Sequence, residues 1–381
     1  MSAENGAKRW TRRRATIAAA AATAGALGLI AALDLTGSLG TAQDKAAASA
    51  PVTGNWTQRA TLTRALRAIA TTASSSYYAY VAASAGEVVQ VNVAAGSIAG
   101  TISADSVEGV AVTPDGATAY LAETGQYYVI ADNVATKAQT KIEVGAYPQD
   151  VAVSPSGKFV YATVTGGDTG AGGSDVVAVI DTATNKVTAD VKVGPAPRQV
   201  VFSPNGSIAY VTTESGIYAV STASSRVVNV IPDPAHGGPQ GIAVSPNGAT
   251  LYVTNPDAGT VLALDAASGK VTASAAGLAE PEAVAVTPNG SALYVADMNS
   301  DSVTALAAAT LKTTATVSVG RLPMSVTVSP DGSQAWVGNG LTGDVSVIAT
   351  ATNTVVATLA QGSGTSNLNA AITDIAFAPV P

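Results

Sequence analysis

The chain has 381 residues, of which 12% are charged and 47% hydrophobic, and a formal net charge of −7. The charged share is about half that of ordinary soluble proteins, and so apolar a chain is not a disordered one. With no Cys and one His, it has no disulfides, thiolate zinc site, cysteine nucleophile, lipidated N-terminal Cys or two-His metal motif.

Residues 1–42 hold five basic residues (Lys8, Arg9, Arg12, Arg13, Arg14) and two acids (Glu4, Asp34), and the stretch from Ala15 to Leu33 is 19 residues without a charge. A positive cluster followed by an apolar core reads as an export signal. Gly40-Thr41-Ala42 offers small residues for cleavage, and Thr11 to Ile17 resembles a twin-arginine signal. The alternative is a permanent anchor, because a helix of this length just crosses a bilayer core. In both cases the positive-inside rule places the body outside the cytoplasm, secreted or anchored, with membrane contact only through this segment. The rest of the chain carries 14 basic and 24 acidic residues, a net of −10, which argues against a nucleic-acid partner. Residues 43–76 read as an Ala/Ser/Thr-rich linker in which Leu62, Leu66 and Ile69 form one short amphipathic turn.

From Tyr77 onward one unit recurs. Apolar runs end in Ser/Thr-Pro-x-Gly at Thr113, Ser154, Ser203, Ser245, Thr287 and Ser329, and the prolines are 41, 49, 42, 42 and 42 residues apart. Six residues after each Pro stands an aromatic: Tyr120, Tyr161, Tyr210, Tyr252, Tyr294 and Trp336. Each unit parses into four short strands separated by Pro, Gly, Asn and Asp turns, with no helical period. Periods of this length mark propellers or solenoids. The first unit, opening at Tyr80-Val81, lacks its first strand, while Ile375 to Pro379 is a first strand with nothing after it. The C-terminal strand therefore completes the first unit and closes a ring, leaving no exposed edges. The expected fold is an all-β, seven-bladed propeller of four-stranded antiparallel blades over residues 77–381, preceded by an apolar N-terminal helix.

Tyr252-Val253-Thr254-Asn255, with the Ser-Pro-Asn-Gly turn before it, resembles the YVTN-repeat β-propeller family, and the resemblance covers about residues 77–381. That family is similar to WD40-like propellers and to the quinoprotein amine dehydrogenase heavy chain. The resemblance implies a surface or secreted protein, and architecture more than chemistry.

The units differ in two connections only. Residues 165–175 add seven residues between second and third strands, while residues 232–239 and 361–370 lengthen the passage from a fourth strand to the next first strand. Consecutive strands alternate in direction, so these connections share one face, and loop variation on a rigid scaffold is where binding usually resides. A Pro often precedes the first strand, and the position after it is expected to line the channel mouth: Glu108, Gln149, Arg198, Gln240, Glu282, Met324 and Thr373, with Asp150 and Asp374 beside them. The competing account of this ring is a hydrated rim without a ligand.

His236 lies in a loop on the same face, with Asp233 or Glu282 to orient it as a base. No Gly-x-Ser-x-Gly elbow supplies a nucleophile, so no catalytic residue is assigned. Asp297, Asn299 and Asp301 alternate oxygen ligands as calcium loops do, and Asp168 and Asp175 in the Gly-rich insertion are a second metal candidate; turn chemistry accounts for both sets equally. The expectation is a binding module without a cofactor, calcium being the alternative, whose partner is a protein, peptide or envelope polysaccharide. The contrasting expectation is a lactonase-like or quinone-linked dehydrogenase-like enzyme, supported by fold analogy alone.

Overall fold

The computed structural model describes residues 60–73, 76–84, 86–166, 175–233, 237–360 and 370–380. Residues 1–42, expected from the sequence to be an export signal or anchor, lie outside them. Among the described residues no helix is long and apolar enough to cross a membrane.

The described chain forms seven four-stranded sheets. Residues 107–143, 147–192, 200–232, 242–276, 281–318 and 323–360 make blades two to seven, each a meander of antiparallel strands in sequence order. Blade one takes Tyr77–Ala83, Glu87–Asn92 and Ser97–Ser103 from its N-terminal side, and its innermost strand is Ile372–Pro379. That C-terminal strand pairs antiparallel with Tyr77–Ala83, placing Tyr80 opposite Ala376 and Val81 opposite Ile375. It also lies against the innermost strands of blades seven and two.

The spaced aromatics pack between blades. Tyr80, Tyr120, Tyr161, Tyr210, Tyr252, Tyr294 and Trp336 are all buried. The Tyr120 hydroxyl donates to Asn185 Oδ1 (2.8 Å) and that of Tyr294 to Asn353 Oδ1 (2.7 Å), each in the third turn of the following blade. Those asparagines have φ of 52° and 53°, a left-handed geometry that Asn tolerates well. Between blades seven and one, Phe377 sets its ring edge-on to both Tyr77 (5.2 Å) and Trp336 (5.7 Å).

Each Ser/Thr-Pro-x-Gly turn is held by its own side chains. Ser203 Oγ donates to Asn205 Oδ1 (2.8 Å) and accepts the Ile208 N–H (3.0 Å), while Asn205 Oδ1 takes the Ser207 N–H (3.0 Å). Adjacent turns also touch. A Cβ added to Gly206, whose φ is +69°, would lie 3.3 Å from Pro155 Cδ of the preceding blade. The invariant Pro-Gly spacing is therefore a packing requirement of this face.

Within the segment expected as a linker, Ala60–Thr72 forms a helix, α1. Leu66 and Ile69 are buried in the core cluster shared by blades seven and one. The buried Gln334 donates to Ile69 O (2.8 Å) and to Thr72 Oγ1, and accepts the Trp336 indole N–H (2.9 Å). It thereby ties the C-terminal turn of the helix, whose Ile69 carbonyl also accepts the Ala73 N–H (3.1 Å), to the second strand of blade seven. The short amphipathic turn expected here is part of a 13-residue helix, and a groove between two blades buries its Leu66 and Ile69.

Candidate functional site

The first and second strands of a blade run antiparallel, so the opening of one meets the end of the other. Val107 pairs with Glu123, Tyr147 with Thr165, Pro281 with Asp297 and Pro323 with Asn339. The channel mouth and the second-to-third-strand connections thus share a face, opposite the Pro-Gly turns. Glu108, Gln149, Asp150, Arg198, Gln240, Glu282, Met324, Thr373 and Asp374 all line one cavity there, of about 90 Å³. At roughly 15 Å³ per ordered water, that is space for about six waters. It suits a small polar group and not a whole drug-sized ligand, which needs upwards of about 300 Å³.

Two of these residues tie their own blade to the next. Asp150 Oδ2 accepts the Val200 N–H of the next blade (2.9 Å) and its Oδ1 accepts the Val151 N–H (2.8 Å). Asp374 repeats this with Val110 (2.9 Å) and Ile375 (2.8 Å). Gln199 Oε1 does the same toward Ile242 (2.7 Å). Where this position is Gly the strands come closer. A Cβ on Gly241 would lie 2.8 Å from Glu282 O.

The Thr of the Tyr-Val-Thr-Asn signature makes a second tie. Thr254 Oγ1 accepts the Gly241 N–H (2.7 Å) within its blade and donates to Glu282 O (3.1 Å) in the next. Thr212 donates likewise to Gln240 O (2.8 Å), and Thr163 to Arg198 O (2.6 Å). These hydroxyls fix the backbone from which the mouth side chains project. Thr254→Val keeps the shape but strands the Gly241 N–H and the Glu282 carbonyl. It is expected to lower stability by about 1–3 kcal/mol in urea unfolding, with Thr254→Ser recovering most of the loss.

The mouth is uneven in charge. Gln240 Nε2 donates to Glu282 Oε1 (2.9 Å), and both residues are more than nine-tenths buried. Arg198 Nη1 donates to the carbonyls of Gly238 and Pro239 (3.2 Å each). Its positive charge partly offsets the upward push of burial on the Glu214 carboxyl. Burial, opposed by its backbone N–H bonds and reinforced by the charge of Glu108, pushes the Asp374 carboxyl up to about 6. Met324 closes one side, in a small apolar cluster with Met298 and Ala371.

The proposed calcium ligands point to separate partners. Asp297 is buried and accepts the Thr304 hydroxyl; burial pushes its carboxyl up to about 6. Asn299 donates to Glu280 Oε2, and Asp301 accepts the Leu322 N–H (2.9 Å) beside Arg321 (3.9 Å). Asp175 accepts the Gly166 N–H (3.1 Å). Among the described residues no three His, Asp or Glu groups are placed to hold a metal. His236 and Asp168 lie outside the described residues, as do most of 165–175 and 361–370.

Gln199, Gly241, Ala283, Ser325 and Val326 also line the cavity and were not among the residues expected there. The signal was available: Gln199 and Ser325 follow Arg198 and Met324 as Asp150 follows Gln149. Glu214, by contrast, comes to Arg198 from the end of a neighbouring strand, and no spacing rule reaches it.

A sequence-family profile described as "Lactonase, 7-bladed beta-propeller" matches residues 171–308. No curated protein matches the sequence. Among solved structures, Kuenenia stuttgartiensis hydrazine synthase is similar at 24% identity, over 70% of this chain and 90% of that one, with a TM-score of 0.63. At that identity the likeness concerns the fold.

Proposed function

We propose that this protein is an exported, non-catalytic binding module that engages a protein, peptide or envelope polysaccharide through the mouth face of its propeller. Residues 1–42 deliver it, as a cleaved signal or an anchor, and the acidic body keeps nucleic acid away. One observation carries the reading: the strand ends that open into the connections of variable length lie on the same face as the polar cavity, whereas the opposite face carries turns of fixed length locked to one another. The pairing of Ile372–Pro379 with blade one supports a ring closed by that strand, and the Tyr-Val-Thr-Asn ties support a place among YVTN-like propellers.

The second reading is a lactonase-like enzyme, favoured by the family profile over 171–308. A thermal-shift screen of the full chain against sugar lactones, quinones, Ca²⁺ and cell-envelope fragments separates the two. A ligand at 100 times its dissociation constant adds about 2.7 kcal/mol, several degrees of melting temperature. The binding module responds to envelope fragments and turns over no lactone. Lactone hydrolysis that Glu282→Gln or Arg198→Ala abolishes, with the fold intact, would replace it with the enzyme.

A further inference from the structure

Blades two, five, six and seven join their second strand to their third through four residues: 124–127, 256–259, 298–301 and 340–343. The last residue of each connection has a left-handed backbone: Tyr127 (φ 65°), Gly259 (60°), Asp301 (51°) and Gly343 (61°). Gly takes that geometry freely and Asp tolerates it, whereas a bulky side chain is an outlier there. Tyr127 gains little from burial in return, since it is 43% exposed. Folding alone gives no reason for an aromatic at this position, and an observed backbone outlier is a ground for seeking a function.

The ring of Tyr127 reaches out of blade two to Tyr147, the half-buried residue that opens the first strand of blade three. The two rings meet in a T-shape, with centroids 5.1 Å apart and planes at 73°. The Tyr127 hydroxyl donates to the Tyr147 hydroxyl (3.4 Å). The ortho carbons of each ring stand beside its hydroxyl-bearing carbon, so they flank the place where the hydroxyls meet. A Cβ on nearby Gly145 would touch nothing within 4 Å, so the segment entering Tyr147 is not hemmed in.

Among the described residues little else is open to a one-electron oxidant. The chain has no Cys to intercept a radical. Met298, Met324 and Trp336 are buried. A second tyrosine pair, Tyr78 and Tyr80, has ring centroids 6.5 Å apart. Tyr80 there is wholly buried, with its hydroxyl accepting the Gln90 amide N–H (2.9 Å).

We propose that Tyr127 and Tyr147 are a modification site, at which a haem peroxidase with hydrogen peroxide makes dityrosine and staples blade two to blade three. Each phenol gives up one electron and its hydroxyl proton, leaving two phenoxyl radicals whose spin reaches the ortho carbons. One ortho carbon of each ring bonds to the other. The hydrogen that each of them carried moves as a proton to the phenolic oxygen, which restores both rings. The peroxide O–O bond breaks, takes up the two electrons and two protons, and leaves as two waters. The new carbon–carbon bond closes a loop of about 20 residues, the kind of constraint a disulfide supplies elsewhere. The staple forms whether or not the mouth takes a ligand.

The test treats the dilute full chain with a haem peroxidase and equimolar hydrogen peroxide, then reads intact mass, dityrosine fluorescence and tryptic peptides. The expected product is a single chain lighter by two hydrogen atoms. Residues 68–137 should be joined to residues 142–158, in which Tyr147 is the sole tyrosine. Fragmentation of the joined peptide should place the bond on Tyr127. Tyr127→Phe and Tyr147→Phe each keep the ring and remove the phenol, so either should abolish both the fluorescence and the joined peptide. Circular dichroism checks that the variants fold, and the product of the parent chain needs no variant. The cross-linked chain should melt several degrees above the untreated one. Chains joined to one another instead, a bond at any other tyrosine, a joined peptide that survives Tyr127→Phe, or no dityrosine would overturn the proposal. So would an unchanged melting temperature in the cross-linked chain, because the bond would then staple nothing.

Discussion

Deleting residues 372–381 is expected to abolish the cooperative unfolding transition. The lost strand carries Ile372, Ile375 and Ala378, all buried, together with Phe377 at the Trp336–Tyr77 junction. Burying an Ile or Phe side chain is worth about 1.5–3 kcal/mol, so the strand's share rivals a typical net stability of about 5–15 kcal/mol. Deletion also leaves Tyr77–Ala83 as an unpaired edge, an invitation to aggregation. Ile375→Ala grades the effect, with an expected cost of about 2–5 kcal/mol. Urea unfolding followed by far-ultraviolet circular dichroism checks both, and a peptide of residues 370–381 added in trans should restore the transition. A truncated chain with an unchanged midpoint would mean that the propeller does not depend on this strand.

Asp297→Asn is expected to stabilise the protein at neutral pH. The position closes the second strand of blade six, where blades five and seven carry Asn255 and Asn339. Asp297 is buried, its Oδ1 has no partner among the described residues, and burial lifts its carboxyl from 3.8 to about 6. The folded state therefore holds this proton more tightly than the unfolded chain does. Its contribution is greatest in acid and is lost as pH rises from about 4 through about 6. A shift of about two pH units corresponds to up to about 3 kcal/mol. Asn cannot ionise and still accepts the Thr304 hydroxyl, so the gain over the parent should be near zero at pH 4 and full by pH 7. Melting curves across that range check it, and a gain that does not vary with pH would contradict the assigned cause. Asp374 shifts in the same direction, but Asp374→Asn loses a carboxylate acceptor for Val110 or Ile375, so its net effect is smaller.

The repeat made most of the fold legible. Pro-x-Gly turns and the aromatic six residues on recur because each blade must turn at the same point and fill the same inter-blade gap, and local spacing records both. The mouth was legible for a related reason: a Pro opening the first strand marks where the chain enters the channel. The roles of the mouth residues were not. Asp150 meets Val200 50 residues away, and Asp374 meets Val110 264 residues away, so two carboxylates that read as ligands carry hydrogen bonds between blades. The run Asp297, Asn299, Asp301 looked like a cation loop because alternation in sequence says nothing about direction. In the fold the first turns inward and the other two turn to Glu280 and Leu322. Helix α1 escaped for the opposite reason, since its burial depends on a groove between the first blade and the last.

Hydrogen exchange on the full chain, with and without each stabilising ligand of the thermal screen, tests the binding face most directly. The account predicts slowed exchange in the strand openings that line the mouth, residues 107–110, 147–151, 197–200, 239–242, 281–284, 323–326 and 372–375. The turns at 113–118, 203–208 and 287–292 should be unchanged. Protection of those turns, with the mouth strands exchanging as before, would contradict it.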